Sequence, residues 1–194
     1  MPTAKNYKRD ELLDRAIELF RRQGYSGTST AELVDELGVN RKSMYSEFGS
    51  KQELFEAALK RYSEVHLSRV LAPIEDPNAG ADAIRGAFNG YASAIDGRFN
   101  GLGCLMANTA VERAALDPGS AKFVDAYLER LNTGFRRALE NARQAGEVVP
   151  DLDIDDLASF FAMSVVGISA LIRAKASSQQ VHAASRAIIR QLEV

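Results

Sequence analysis

The 194-residue sequence predicts an all-α protein in which a small helical module leads into a larger helical domain. Three observations carry that reading. Apolar residues recur three and four positions apart in one segment after another, the period of a half-buried helix. Residues that start and stop helices stand at the ends of those segments. No segment alternates as a strand does, and there is no internal repeat or low-complexity tract.

Asp10 to Gln23 places Leu13, Ala16, Ile17 and Phe20 on one face and Arg15, Glu18 and Arg22 opposite, and Gly24 ends it. After the Tyr25-Ser26-Gly27 link, Ser29 and Glu32 have capping-box spacing. Ala31, Leu33, Val34 and Leu37 then form an apolar stripe, which Gly38 stops by accepting a left-handed conformation. Val39 buries the turn, Asn40 caps the next segment, and Met44 and Phe48, four apart, face one core. Arg41, Lys42, Ser43, Tyr45 and Ser46 are left pointing outward. This is a helix-turn-helix whose second helix is short, polar outside and able to enter a DNA major groove. The helix before it supplies the third wall of its core.

Ser50 and Glu53 repeat the capping-box spacing and open a long helix through Leu54, Phe55, Ala58, Leu59 and Tyr62 to Val70. Its length carries it from the small module into the larger domain. Pro73 and Asp76-Pro77-Asn78-Ala79-Gly80 mark the first boundary. Ala81 to Asp96 is apolar at Ile84, Ala87, Phe88, Tyr91 and Ile95, and Gly97 to Gly103 is a glycine-rich break. Leu105 to Leu116 reads as a helix ended by Asp117-Pro118-Gly119, and Ala121 to Gln144 as a long amphipathic helix carrying Phe123, Tyr127, Leu128, Leu131, Phe135 and Leu139. Gly146 to Pro150 breaks the chain, and Asp153 and Asp156 open a helix that is apolar on nearly every side to Ile172. Ser178 to Leu192 closes the chain with Val181, Ala184, Ile188 and Leu192 on one face.

The run from Gly38 to Tyr45, Gly-Val-Asn-Arg-Lys-Ser-Met-Tyr, together with Phe48, Ser50, Lys51, Glu53 and Leu54, resembles the helix-turn-helix signature of TetR-family transcriptional regulators. The match covers roughly the first third of the chain and is specific, because several positions must agree at fixed spacing. The resemblance implies a DNA-binding domain over residues 1–52 and a helical ligand-binding and dimerisation domain over 53–194. It implies that Thr28 and Ser29, before the second helix, donate to phosphate, as does Lys51 at the start of the fourth; helix N-termini already favour anions. Arg41, Lys42 and Ser43 fall in the first turn of the recognition helix, nearest the base edges, where Arg41 or Lys42 meets guanine. Ser46 faces out beside them, and Tyr45 matches an aromatic phosphate contact of the family. Glu47 departs from the usual His or aromatic residue, so its side chain either faces away or accepts from cytosine. The competing reading of the motif is a small helical hairpin that packs and contacts nothing.

Composition narrows the classes. Net charge is −2, and residues 1–62 hold eleven Lys/Arg against ten Asp/Glu, so any basic face must come from spatial sorting. The N-terminus has no apolar stretch after its charges, unlike a secretory signal. The most apolar run, Leu157 to Ile172, is interrupted by Ser159, Ser164, Gly167 and Ser169, which argues against a membrane span. A single cysteine, Cys104, excludes an internal disulfide framework and fits a reducing cytoplasm. Enzyme chemistry lacks a constellation. His66 and His182 stand alone without metal spacing, and His66 reads as a solvated side chain. Asp151, Asp153, Asp155 and Asp156 lack the glycine and distal glutamate of a calcium loop, and Gly101-Leu102-Gly103 is a turn signal only. No cofactor and no metal are implied.

The helix over Asp156–Ile172 must bury all its sides. Either it is the central helix of a monomer, or one side meets a second copy of the chain. The second reading takes Phe160, Met163, Val166, Gly167, Ala170 and Leu171, with Ile188 from the last helix, as a four-helix interface across a two-fold axis, as the resemblance also implies. In the larger domain, Phe88, Tyr91, Phe99, Leu102, Cys104, Met106, Phe123, Tyr127 and Phe161 either line an apolar ligand pocket or are plain core. Gly103-Cys104-Leu105 resembles a segment of many family members, in a few of which the cysteine senses oxidants or electrophiles. Here it is either such a sensor, placed at a helix start where thiolates are favoured, or an inert buried thiol. The leading expectation is a homodimeric repressor, released from near-palindromic double-stranded operator DNA by a small apolar or electrophilic inducer. The alternative is a constitutive helical DNA-binding or adaptor protein without a ligand.

Overall fold

The computed structural model describes residues 9–97 and 100–193, and among these there are helices and no strands. Four helices form the N-terminal module: α1 (Arg9–Gln23), α2 (Thr30–Leu37), α3 (Arg41–Phe48) and α4 (Lys51–Arg61). Six more form the body: α5 (Ser68–Glu75), α6 (Ala81–Ser93), α7 (Leu105–Glu112), α8 (Pro118–Gln144), α9 (Ile154–Arg173) and α10 (Ser178–Ile189). The capping expected from the motif is present. Ser29 and Glu32 close a reciprocal box, Gly38 sits at φ +66°, and the Asn40 carboxamide accepts the Ser43 N–H at 2.8 Å. At α4 only half of a box forms. Ser50 Oγ accepts the Glu53 N–H, but the Ser50 N–H donates to the Phe48 carbonyl and leaves Glu53 no reciprocal partner.

Four element boundaries differ from the periodicity reading, each for a local reason. Helix runs on past Pro73 to Glu75, because proline near a helix end forfeits a single bond. Between α4 and α5 the chain stays helical through a π segment, Tyr62–Leu67, in which Ser63 O accepts from Ser68 Oγ at 3.2 Å and from Arg130 at 3.5 Å. The α7 helix stops at Glu112. Asp117 and Pro118 do not end a helix but begin one, with Asp117 as N-cap accepting the Ser120 N–H and Pro118 in the first turn of α8.

The α1 helix packs on α2 and α4, α8 runs along α9, and α6 lies against α10. Phe20 and Phe55 meet edge-on at 4.8 Å where α1 crosses α4. In the body, Phe88, Phe135 and Phe161 form a closed aromatic cluster with centroids 5.4–5.7 Å apart. By length and composition α9 passes for a membrane span after all, 20 residues at mean hydropathy 1.6 in its most apolar stretch. Its inner side, with Phe161, Val165 and Ile168, is buried in the body, whereas Phe160 (43% exposed) and Met163 (73% exposed) look outward.

Gly38 supports a stability prediction. A Cβ there would stand 3.3 Å from the far end of the long Arg15 side chain, so space is not the main obstacle; the left-handed backbone is. Gly38→Ala is expected to lower the unfolding free energy by about 1 kcal/mol at fixed protein concentration, measured by urea titration. An unchanged midpoint would show that the turn relaxes to another conformation.

Candidate nucleic-acid interface

The outward side of α3 is built by what its inward side buries. Met44 and Phe48 are sunk into the core, which turns Arg41, Lys42 and Ser46 to solvent. The Arg41 guanidinium lies 5.6 Å from the centre of the Tyr45 ring. Interactions with Thr30, and then with Arg41, hold the Tyr45 phenol below its ordinary pKa. Ser43 is half-buried and its N–H is spent on the Asn40 cap. Ser29 is exposed, and its hydroxyl works in the cap that joins it to Glu32. Its backbone N–H, donated to the Glu32 carboxylate at 2.7 Å, is the first cause of that group's lowered pKa.

Two of the sequence expectations change here. Thr28 is 1% exposed and donates its hydroxyl to the Gly24 carbonyl at 2.6 Å, so it closes the α1–α2 turn and is withdrawn from the phosphate set. Glu47 faces back toward α1, with Oε1 3.4 Å from Arg9 Nε and its side chain 15% exposed, which settles the two readings in favour of the one that points it away. The Arg9 guanidinium also lies 5.0 Å from the Phe48 ring centre.

Lys51, in the first turn of α4, is half-buried, and its ammonium stands 4.1 Å from the centre of the Tyr25 ring. Burial lowers its pKa, the charge of Arg113 adds to that, and Glu112 and Glu32 oppose it. Tyr25, Thr30, Glu112 and Arg113 were not singled out from the sequence. Tyr25 and Thr30 sit beside the motif and were within reach of the same reasoning. Glu112 and Arg113 arrive from the body and carried no local signal.

In the body, the residues proposed to line a pocket separate into groups. Phe88 and Phe161 belong with Phe135 to the closed aromatic cluster, and Met106 is fully buried. Cys104, the N-cap of α7, sits in a polar cluster: Tyr62 Oη donates to its Sγ at 3.7 Å, and Sγ donates to Tyr127 Oη at 3.8 Å. Burial pushes the Tyr62, Tyr91 and Tyr127 phenols up. Leu102, Tyr91 and Phe123 are half-buried, the last with the Lys122 ammonium 5.0 Å from its ring centre. Phe99 lies outside the described residues. Two grooves on the outside of the body, of about 310 and 350 Å³, are lined by none of the expected pocket residues. One is lined by Glu75, Arg130 and Arg137 among others, and the other runs beside Met163 between α8 and α9. Two further expectations are corrected. His66 is half-buried and stacks on Tyr62 at 5.2 Å, with burial lowering its pKa, so it is no solvated side chain. Ile188 is 8% exposed and packs inside its own body, which removes it from the outward face of α9 and α10.

Comparison with known proteins agrees with this geometry. Residues 12–58 match the family model described as bacterial regulatory proteins, tetR family, and residues 80–188 match the tetracyclin repressor-like C-terminal domain. The chain is 31% identical over 171 residues to the uncharacterized HTH-type transcriptional regulator YezE of Bacillus subtilis, covering 88% of each chain. It is 30% identical over 182 residues to the HTH-type transcriptional repressor ComR of Escherichia coli, covering 91% of this chain and 85% of ComR. Among solved structures, the TetR family regulator CifR, a cysteine mutant complexed with a 26-base-pair operator duplex, superposes with a TM-score of 0.83 at 23% identity over 98% of both chains. A TetR regulator from Chloroflexus aurantiacus gives 0.83 at 23% identity, over 95% of this chain and 93% of its own.

The reassignment of Thr28 is testable. Thr28→Val keeps the shape and removes the donor to Gly24. It is expected to cost about 1 kcal/mol in urea unfolding, the price of a lost buried hydrogen bond, while leaving DNA affinity and its salt dependence at wild-type values. A reduced salt slope would return Thr28 to the phosphate contacts.

Proposed function

This chain belongs to the tetR family of bacterial regulatory proteins, DNA-binding transcriptional regulators, and from that premise we propose that it is a homodimeric repressor whose release from operator DNA is set by a small molecule. The observation that carries the reading is the α3 surface: an Asn40-capped helix start with Arg41, Lys42 and Ser46 turned to solvent over a buried Met44–Phe48 face. A helix so presented enters a major groove with its first turn leading. Arg41 and Lys42 read base edges; Ser29, Tyr45 and Lys51 meet the backbone on either side. The repressor sense is supported by the name of ComR, and the operator partner by the duplex bound to CifR.

The dimer is proposed on the outward face of α9. Phe160, Met163, Val166, Gly167, Ala170 and Leu171 supply exposed or half-exposed apolar surface there, and a Cβ added at Gly167 would meet nothing within 4 Å. Small residues between large ones let two helices approach closely, and a two-fold axis would set the reading heads about one DNA turn apart. The inducer would act from the interior around Cys104, Tyr62, Tyr91 and Tyr127, where an apolar molecule displaces packing or an electrophile meets the thiol. We read the protein as a regulator without catalytic activity, working in the cytoplasm beside its DNA.

Two measurements test this. Lys51→Ala is expected to weaken binding to selected and random duplexes by a similar factor and to lower the salt slope by about one phosphate, whereas Arg41→Ala changes the preferred sequence. An unchanged slope for Lys51→Ala would place the docking elsewhere. Met163→Glu puts a charge on a side chain already exposed in the protomer, so the fold should survive while the dimer does not. Light scattering should give a folded monomer that has lost tight operator binding. A wild-type monomer at micromolar concentration would overturn the dimer.

A further inference from the structure

The Tyr25 ring is shared by two cations from different halves of the molecule. Lys51 Nζ lies 4.1 Å from its centre and the Arg113 guanidinium carbon 3.6 Å. The ring itself is fixed from the inside, tilted on Phe55 at 5.0 Å and stacked beside Phe20 at 6.3 Å. Its backbone is fixed from the body. The Tyr25 N–H donates to Glu112 Oε2 at 3.1 Å and the Ser26 N–H to Glu112 Oε1 at 2.7 Å. Gly24, at φ +78°, makes that approach possible: a Cβ there would stand 2.5 Å from Glu112 Oε2.

Arg113 is held in turn by the connection between α7 and α8 and by α4. Its Nη2 donates to Gln52 Oε1, and its Nε lies 3.4 Å from Asp117 Oδ2. The Gln52 amide donates to both Asp117 and Glu56 at 2.8 Å. Lys51 and Gln52 are neighbours in the first turn of α4, and Glu112 and Arg113 are neighbours at the end of α7. The two pairs meet through Tyr25, the Gln52 amide and the Glu112 carboxylate.

Such a contact is direction-sensitive in a way apolar packing is not. A cation is attracted to an aromatic face only near the ring axis, and two like charges on one ring are tolerated only while each keeps its place and a carboxylate stands nearby. A small displacement of the α7 end therefore changes where the Lys51 ammonium rests. We propose that Tyr25 is the positioning residue that holds Lys51 for its DNA phosphate and ties that contact to Arg113 and Glu112 at the end of α7. The proposal rests on the reading that Lys51 meets a phosphate. It assigns the body a route to the DNA contact through one aromatic ring.

The test is a double-mutant cycle on a short duplex that the full-length wild-type protein selects from a random-sequence pool. Lys51→Met alone should weaken binding and lower the salt slope by about one. Arg113→Gln should weaken binding about three-fold with Lys51 present and have a much smaller effect in the Lys51→Met background, a coupling of the size expected of an aromatic-held cation. Long-range charge effects of Arg113 are equal in both backgrounds and cancel. Tyr25→Phe, which keeps ring and backbone, should retain the coupling, and Tyr25→Leu should abolish it and depress the salt slope although Lys51 is intact. Additive effects of Arg113→Gln and Lys51→Met would overturn the joint and leave the Lys51 contact standing. Coupling that survives Tyr25→Leu would overturn the role of the ring. An unchanged salt slope for Lys51→Met would remove the phosphate reading and this proposal together.

Discussion

The burial of Met44 and Phe48 is the constraint from which the rest of the DNA-facing module follows. A helix of eight residues has no stability of its own, so α3 exists because its two inward side chains are covered by neighbouring helices. Burying a side chain of that size contributes about 1.5–3 kcal/mol. The same burial fixes the rotation of α3. With a period of 3.6 residues, sinking positions 44 and 48 leaves 41, 42 and 46 outside, and no separate device is needed to aim them. Arg9, lying against Phe48 and paired with Glu47, seals the inner edge and keeps the Glu47 carboxylate on the α1 side.

The junction between module and body is of a different kind. It includes charge-assisted contacts at both ends of α7. At the first end Arg21, 5% exposed, donates to the Gly103 carbonyl at 2.8 Å, one residue before Cys104, with its guanidinium 5.8 Å from the Tyr62 ring centre. At the other end the Glu112 carboxylate takes the Tyr25 and Ser26 amides. Both partners in the module come from the end of α1 and the turn after it, so α7 is clipped lengthwise onto one short stretch of chain. Polar contacts of this sort add little net stability over apolar packing, but the buried one specifies geometry, since misplacing the Arg21 guanidinium leaves the Gly103 carbonyl unpaired. The π segment at Tyr62–Leu67 lies where the long helix passes this junction. It carries Tyr62 against Cys104 and is braced by Arg130, which also pairs with Glu75 at 2.7 Å.

The body divides its apolar residues between an inner cluster and an outer face. The inward aromatics of α6, α8 and α9 close on each other, whereas α9 keeps Phe160 and Met163 outside. A helix apolar on nearly every side thus serves two surfaces at once. In the single chain only one of them is covered.

The sequence by itself determined the helical class, the caps at Ser29, Gly38 and Asn40, and which side of α3 is turned out, because the caps are local and the apolar pattern that selects the buried side repeats within four residues of chain. It also determined that α9 is too apolar for a single buried face. It left undecided Glu47, whose direction depends on Arg9 across the module, and Phe88 and Phe161, whose helical spacing is the same whether they line a space or fill a core. Thr28 shows the limit most plainly: a threonine before a helix reads as a phosphate donor, yet its hydroxyl is spent on Gly24 in a turn whose shape the capping pattern does not contain. The tertiary structure alone brought Arg21 to Gly103, and Glu112 and Arg113 to Tyr25. Those partners are separated by more than eighty residues, and no local periodicity encodes a contact made by the ends of long charged side chains.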